Sequence, residues 1–352
     1  MTKADPIATD APGGLTGLGW DQEWAGAFAA AVADIASAGD GLVGDTARPG
    51  RILSTHRVGF DAVTPSGREF VIHRADRRDP LAAPATGDWV VIADVADVGD
   101  PVITTVLPRR TALVRRDPAD RAAPQVLAAG IDVVAVVHGA DRPVNVRRLE
   151  RQLVVAHGSG AEVLIIITKC DLPQTTEVRL ALGRAAPGQD VLVTAASQGV
   201  GIDRVDALTA AGRTVALLGE SGAGKSTLVN AVLGYEELAT GGVRGGDSKG
   251  RHTTTRRELL ALPSGGALLD TPGVRAIALW PGFADLDAVF GEISRVADQC
   301  RFANCTHQAE PDCGVRVGVD DGSISADRLQ AWLGLHAELH DTRTQLQRKA
   351  WR

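Results

Sequence analysis

The chain has 352 residues, 44% apolar and 23% charged, with a formal net charge of −6. That length points to two or three domains, and the negative balance excludes a protein coated in positive charge, so nucleic-acid contacts must be regional. No apolar run approaches the roughly 18 to 20 residues that span a bilayer, and four cysteines are too few for a disulfide scaffold.

Residues 1–14 are small and polar, lack a basic-then-apolar signal pattern, and read as a disordered tail of a cytoplasmic protein with no membrane contact. From residue 20 to about 38 the pattern is helical: Asp21 can cap the start, and Trp24, Phe28, Val32 and Ile35 recur at helical steps. Short β-rich runs follow at 51–58, 69–74, 88–93 and 102–107, separated by turn residues such as Pro65-Ser66-Gly67. A small all-β barrel over 50–118 fits them, and the oligonucleotide-binding (OB) type is a member of that class. Arginines are dense there, with nearly as many acids; the pairs Arg109-Arg110 and Arg115-Arg116 are the better candidates for phosphate contacts.

From about Pro124 the period changes to α/β. Ile131-Asp132-Val133-Val134-Ala135-Val136-Val137 and residues 163–167 read as strands buried on both faces. Asn145 can cap a helix carrying Leu149, Leu153 and Val154. A helix near 177–184, a strand at 191–193 and a helix over 203–210 lead to the apolar run Thr214-Val215-Ala216-Leu217-Leu218. Alternating strands and helices imply a mostly parallel sheet covered on both sides.

Next comes Gly219-Glu220-Ser221-Gly222-Ala223-Gly224-Lys225-Ser226-Thr227, which fits the phosphate-binding pattern G-x-x-x-x-G-K-[ST] between a strand and a helix over 226–233. Glycines let the backbone curl so that N–H groups face phosphate oxygens, and the helix dipole points the same way. Lys225 would reach the β- and γ-phosphates, and the Ser226 hydroxyl would hold Mg²⁺.

The glycine-rich stretch 240–250 reads as a mobile loop. Thr253 or Thr254 beyond it would complete the Mg²⁺ shell when the γ-phosphate is present. Strands at 258–262 and 266–269 end in Asp270-Thr271-Pro272-Gly273, a D-x-x-G box. Its carboxylate would reach the Mg²⁺ shell, and the Gly273 N–H would sense the γ-phosphate. Two further stretches name the base. Thr168-Lys169-Cys170-Asp171 resembles the guanine box N-K-x-D, in which the Asp171 carboxylate accepts from guanine N1–H and the 2-amino group. Adenine lacks that donor pair, so ATP would leave a carboxylate unpaired. Lys169 would lie against the base. Thr194-Ala195 resembles the S-A box, whose backbone N–H binds guanine O6.

Beyond about Pro281 the pattern is helical: Leu286, Val289, Phe290, Ile293 and Val296 mark one amphipathic helix, and Leu329, Trp332, Leu333, His336 and Leu339 another over about 325–349. Between them Cys300, Cys305, His307 and Cys313 offer three thiolates and one imidazole, a closed set suited to one structural Zn²⁺.

The base-reading boxes (168–171, 194–195) precede the phosphate loop (219–227) and the D-x-x-G box, the reverse of ordinary GTPases. With this order, the Leu107-Pro108-Arg109-Arg110 run, the 145–153 stretch, the Gly250-Arg251-His252-Thr253-Thr254-Thr255 segment and the Cys/His cluster, the chain resembles the ribosome small-subunit-dependent GTPases, the RsgA (YjeQ) family. The resemblance covers nearly everything after the first twenty residues. It implies an OB barrel (50–118) behind a tail and helix (1–49), a circularly permuted GTPase domain (119–281) and a helical zinc-bearing domain (282–352). It also implies GTP hydrolysis, slow until stimulated by the small ribosomal subunit, and contact with ribosomal RNA. Two departures stand out. Thr168 replaces the usual Asn, so base affinity is expected to be lower. Val274 stands where signalling GTPases place a water-orienting Gln, an apolar choice also seen in this family; it implies that another group orders the water, and His252 is a candidate, the alternative being a solvent-facing loop residue. Gly222 stands where potassium-activated GTPases often carry Asn, so no potassium site is assigned.

The basic stretch Arg244, Lys249, Arg251, Arg256, Arg257 offers a second RNA contact. A monomer is expected. Two other readings remain at this stage: a metabolite kinase on the phosphate loop, and a zinc-dependent RNA-binding module with a vestigial GTPase.

Overall fold

A computed structural model describes residues 14–37, 46–73, 79–95, 98–119, 122–235, 238, 257–270 and 277–350. Residues 1–13, the stretch 240–250, the candidate switch residues His252, Thr253 and Thr254, the box residue Gly273 and Val274 lie outside the described residues.

Helix α1 (Gln22–Ser37) starts where the Asp21 carboxylate accepts from the Trp24 N–H at 2.8 Å, a cap of about 1 kcal/mol. Trp24 faces the barrel, with its ring 6.1 Å from Trp89. The barrel strands are β1 (Arg48–Thr55), β2 (Phe60–Thr64), β3 (Gly67–His73), β4 (Trp89–Ala93) and β5 (Val102–Val106). Pairings β1–β2, β2–β3, β3–β5, β5–β4 and β4–β1 close the ring, leaving no free edge within it. Ile52, Ala62, Val71, Val90, Ile92 and Ile103 fill it, none more than 2% exposed. The sequence expectation carried β1 to residue 58 and missed β2; the chain instead turns after Thr55 and returns antiparallel. Strand β6 (Ala112–Arg116), counted within 50–118, lies outside the barrel and pairs with β7 (Pro124–Ala129). Its inward side chains Ala112 and Val114 pack with Ala129 and Trp280.

The α/β unit contains β8 (Val133–Gly139), α2 (Val146–His157), β9 (Glu162–Thr168), α3 (Thr175–Ala185), β10 (Val191–Val193), α4 (Ile202–Ala207), β11 (Thr214–Gly219), α5 (Lys225–Leu233), β12 (Glu258–Ala261) and β13 (Ala267–Asp270). The strand order is β10-β9-β8-β11-β13-β12, parallel except for β12. Alternate residues of β8 face opposite layers. Val134 and Val136 join Leu149, Leu153, Val178 and Leu182 of α2 and α3, whereas Val133, Ala135 and Val137 join Val205, Leu228 and Val229 of α4 and α5. The sheet continues into the barrel through the Ser54–Glu258 pairing of β1 and β12. Arg51, 2% exposed, fastens the same junction: it donates to Thr214 Oγ1 and to Gly130 O, both at 2.8 Å.

The C-terminal unit has α6 (Leu286–Val289), α7 (Gly291–Ala297), α8 (Gly314–Asp320) and α9 (Ala326–Ala350). The single helix expected over 286–296 breaks at Phe290, which leaves helical geometry (ψ 39°) to bury its ring under the Arg328 guanidinium, 4.6 Å away. Arg328 also pairs with Glu150 of α2 at 3.0 Å and with Glu292 at 2.6 Å, which ties this unit to the α/β unit. Among the described residues no helix is long and apolar enough to cross a membrane.

Candidate functional site

Five parallel strands end at one edge of the sheet, and each delivers part of a site there: β9 the 168–171 box, β10 Thr194 and Ala195, β11 the phosphate loop, β13 Asp270, and β8 a loop ending in the Asn145 cap. The chain runs outward from β8 to β10 and returns at β11, so the crevice between β8 and β11 is the switch point where such sheets bind ligands.

Within the phosphate loop Gly222 and Gly224 have left-handed backbone, φ 77° and 90°. The Lys225 ammonium is 8% exposed and donates back to Gly219 O at 2.8 Å and Glu220 O at 3.0 Å. Burial lowers its pKa, while the Asp270 carboxylate works the other way. Burial raises the pKa of Asp270, opposed by Lys225. Asp270 is 4% exposed, and among the described residues its Oδ1 has no hydrogen-bond partner. A buried carboxylate oxygen without a partner costs about 1–3 kcal/mol, more when charged, so this position fits a cation's coordination sphere. Ser226 is half-buried and Thr227 exposed on the first turn of α5.

The 168–171 segment meets this loop directly. Thr168 Oγ1 donates to Ala223 O at 2.5 Å, so the hydroxyl that replaces an amide still grips the loop. Lys169, at φ 59°, donates to Gly222 O at 2.9 Å and to Asp141 Oδ2 at 2.7 Å. A non-glycine residue held there costs about 1–2 kcal/mol, tolerated where the side chain must point at a ligand. The Cys170 N–H donates to Thr194 O at 3.0 Å, which joins the two base boxes, and Ala195 sits beside Val200 in an isolated bridge. Asp171 is exposed at this edge, and its carboxylate makes no ion pair among the described residues.

Close fit makes a sharp expectation. A Cβ on Gly224 would stand 2.9 Å from Thr168 Oγ1, at a left-handed φ of 90°. Gly224→Ala is therefore expected to weaken GDP binding by about tenfold or more, read by titration; unchanged affinity would contradict this packing.

Sequence reasoning missed the residues on the outer side of the loop. Arg142 donates to Ser221 O at 3.2 Å and Gly222 O at 3.0 Å, and lies 3.6 Å from the Glu220 carboxylate. Arg148 of α2 pairs with the same Glu220, and this pairing is the main reason its pKa is lowered. The signal was available: the loop after β8 ends a parallel strand beside the phosphate loop. Two of the expected phosphate contacts are ion-paired within the chain. Arg109 pairs with buried Asp88 at 2.6 Å, and Arg110 pairs with Asp21 at 2.7 Å over the Trp24 ring. Of the second basic stretch only Arg257 falls among the described residues; it is half-buried, with its pKa lowered by burial.

The metal set is assembled. Ligand atoms of Cys300, Cys305, His307 and Cys313 all lie within 4.8 Å of one another. Cys300 and Cys313 sulfurs are 3.9 Å apart, close to the edge of about 3.8 Å for a tetrahedron with bonds of about 2.3 Å. Burial and the neighbouring Cys313 and Cys300 sulfurs push the Cys305 thiol up to about 11. Burial would raise Cys300 too, but backbone N–H groups of Val315 and Gly314 outweigh it and hold that thiol below its usual range. Such crowding of thiols fits a bound cation that stabilises their ionised forms.

A family model described as RsgA GTPase matches residues 106–280. A relative from Streptomyces coelicolor, named small ribosomal subunit biogenesis GTPase RsgA, is 42% identical over 334 residues, covering 92% of this chain and 86% of that protein. A relative of the same name from Opitutus terrae is 40% identical, covering 92% and 89%. Among solved structures, YjeQ from Thermotoga maritima superposes with a TM-score of 0.59 at 26% identity, covering 83% of this chain and 98% of that one. YloQ, described as a circularly permuted GTPase, shares the fold with a TM-score of 0.57 at 23% identity. The permuted order of the boxes around one crevice, the metal set and these relatives agree: the chain belongs to the RsgA GTPase family.

Proposed function

We propose that this chain hydrolyses GTP and acts in maturation of the small ribosomal subunit. One observation carries the reading: the phosphate loop, the 168–171 and 194–195 segments and buried Asp270 converge on one strand-end crevice although their chain order is permuted. The relatives' names supply the ribosomal subunit.

Lys225 would leave the carbonyls of Gly219 and Glu220 for the β- and γ-phosphates. Asp171 would accept from guanine, with Lys169 flanking the base and the Ala195 N–H on O6. Ser226, Asp270 and Thr254 are the residues that would hold magnesium, with Gly273 at the γ-phosphate and His252 ordering water. Bound magnesium supplies charge neutralisation at the phosphates. Cys300, Cys305, His307 and Cys313 would hold one structural zinc. The 1–49, 50–118, 119–281 and 282–352 divisions serve as working domains, in a cytoplasmic monomer that binds ribosomal RNA.

The test is GTP and ATP turnover with and without purified small subunits. Slow GTP turnover, its stimulation by subunits, and ATP use lower by at least about 10²-fold are expected. Equal use of ATP, or indifference to the subunit, would end this reading.

A further inference from the structure

Between α2 and α9 an open groove of about 850 Å³ is lined by Arg116, Arg147, Arg148, Arg151, Glu338 and Asp341, among others. Its four arginines against two acids leave +2 locally, in a chain whose net charge is −6. Glu338 occupies Arg151 at 2.7 Å and Arg116 at 3.9 Å. Arg147 is exposed and forms no ion pair among the described residues. Arg148 belongs to two places at once: it lines the groove, and it pairs with Glu220 of the phosphate loop. Glu220 also lies 3.6 Å from Arg142, whose guanidinium grips the Ser221 and Gly222 carbonyls.

We propose that this groove docks an RNA phosphate backbone and that Arg148 reports the docking to the phosphate loop. The inference rests on the proposed function, and deepens it by naming the surface and the relay. Phosphate oxygens suit arginine forks, and a groove with exposed Arg147 beside several shared guanidinium groups accepts a line of them. An incoming phosphodiester competes with Glu220 for Arg148. Glu220 then turns to Arg142, which loosens the grip of Arg142 on the two loop carbonyls. Glu220 thus has two arrangements, one biased by RNA and the other by the nucleotide held in the loop. Linkage makes that bias mutual: the nucleotide state must alter RNA affinity by the factor by which RNA alters nucleotide affinity.

The experiment measures full-length protein binding to purified small subunits and to a plain RNA duplex, each with GDP and with a non-hydrolysable GTP analogue. Arg147→Glu is expected to weaken both bindings roughly tenfold and to flatten their salt dependence by about one contact, with turnover in the absence of subunits within about twofold of wild type. Arg148→Ala is expected to remove the difference in subunit affinity between the two nucleotide states. Wild-type subunit affinity in Arg147→Glu overturns the groove while leaving the GTPase reading intact. A nucleotide dependence that survives in Arg148→Ala overturns the relay. Duplex binding that is lost in Arg147→Glu, in a protein whose turnover ignores subunits, supports the groove and sinks the small-subunit role alone. Affinity for an isolated acidic ribosomal protein but not for either RNA would also overturn the proposal.

Discussion

Lys225→Ala is expected to lower GTP turnover by about 10³-fold while the chain still folds. Lys225 is nearly buried, donates among the described residues only to loop carbonyls, and has its pKa lowered by that burial. Its removal relieves a desolvated charge and gives up two hydrogen bonds, to the carbonyls of buried Gly219 and half-buried Glu220, each worth about 1 kcal/mol, so the two effects largely offset. Stability should therefore change little. Catalysis should change much, because negative charge moves toward the leaving phosphate in the transition state and no other lysine lies in the loop. Single-turnover hydrolysis and thermal melting, run on the same preparation, separate the two effects. Turnover equal to wild type would remove the loop from the chemistry. A collapsed melt would mean that Lys225 holds the fold rather than the phosphate.

The second large effect is loss of the metal. Zinc release should read about one ion per chain, and Cys313→Ser should unfold the C-terminal unit. Structural zinc in small sites contributes an apparent ~10–16 kcal/mol, comparable with the 5–15 kcal/mol that holds a whole domain. The unit's buried residues Phe290, Ile293, Val315, Ile324 and Leu335 join the core of the α/β unit, so the loop that carries the ligands leans on the metal. Cys313 is 3% exposed, His307 is 6% exposed and stands 5.4 Å from the Trp332 ring of α9, so the ligand set also seats the last helix. Without the metal, the Cys300, Cys305 and Cys313 thiols crowd one another with no cation to ionise them. Metal analysis of protein purified without chelators decides this first: no bound zinc contradicts the assignment. An unchanged melting curve for Cys313→Ser would contradict it as well.

Helix starts were legible because each depends on a neighbour in the chain. Asp21 caps α1 and Asn145 caps α2, as their spacing implies. The buried strands β8, β9 and β11 were legible for a similar reason: continuous apolar runs bounded by turn residues leave few alternatives. Strand β2 was missed because Phe60, Asp61, Ala62, Val63 and Thr64 carry no strong alternation; it is a strand because β1 and β3 flank it. The break at Phe290 was missed because its cause, Arg328, lies far along the chain.

The sequence by itself determined the chemistry: a lysine-bearing phosphate loop, a guanine-type box, a D-x-x-G box and a Cys₃His set, each defined by spacing within a short segment. Tertiary structure alone decided how these share one crevice, that the Thr168 hydroxyl seizes Ala223 O, that β6 leaves the barrel for β7, and that Arg148, 72 residues before Glu220, closes on it. The physical reason is range. A turn, a cap or a ligand spacing is settled by a few covalent neighbours, whereas a contact between distant residues exists only once the sheet has brought its strand ends together.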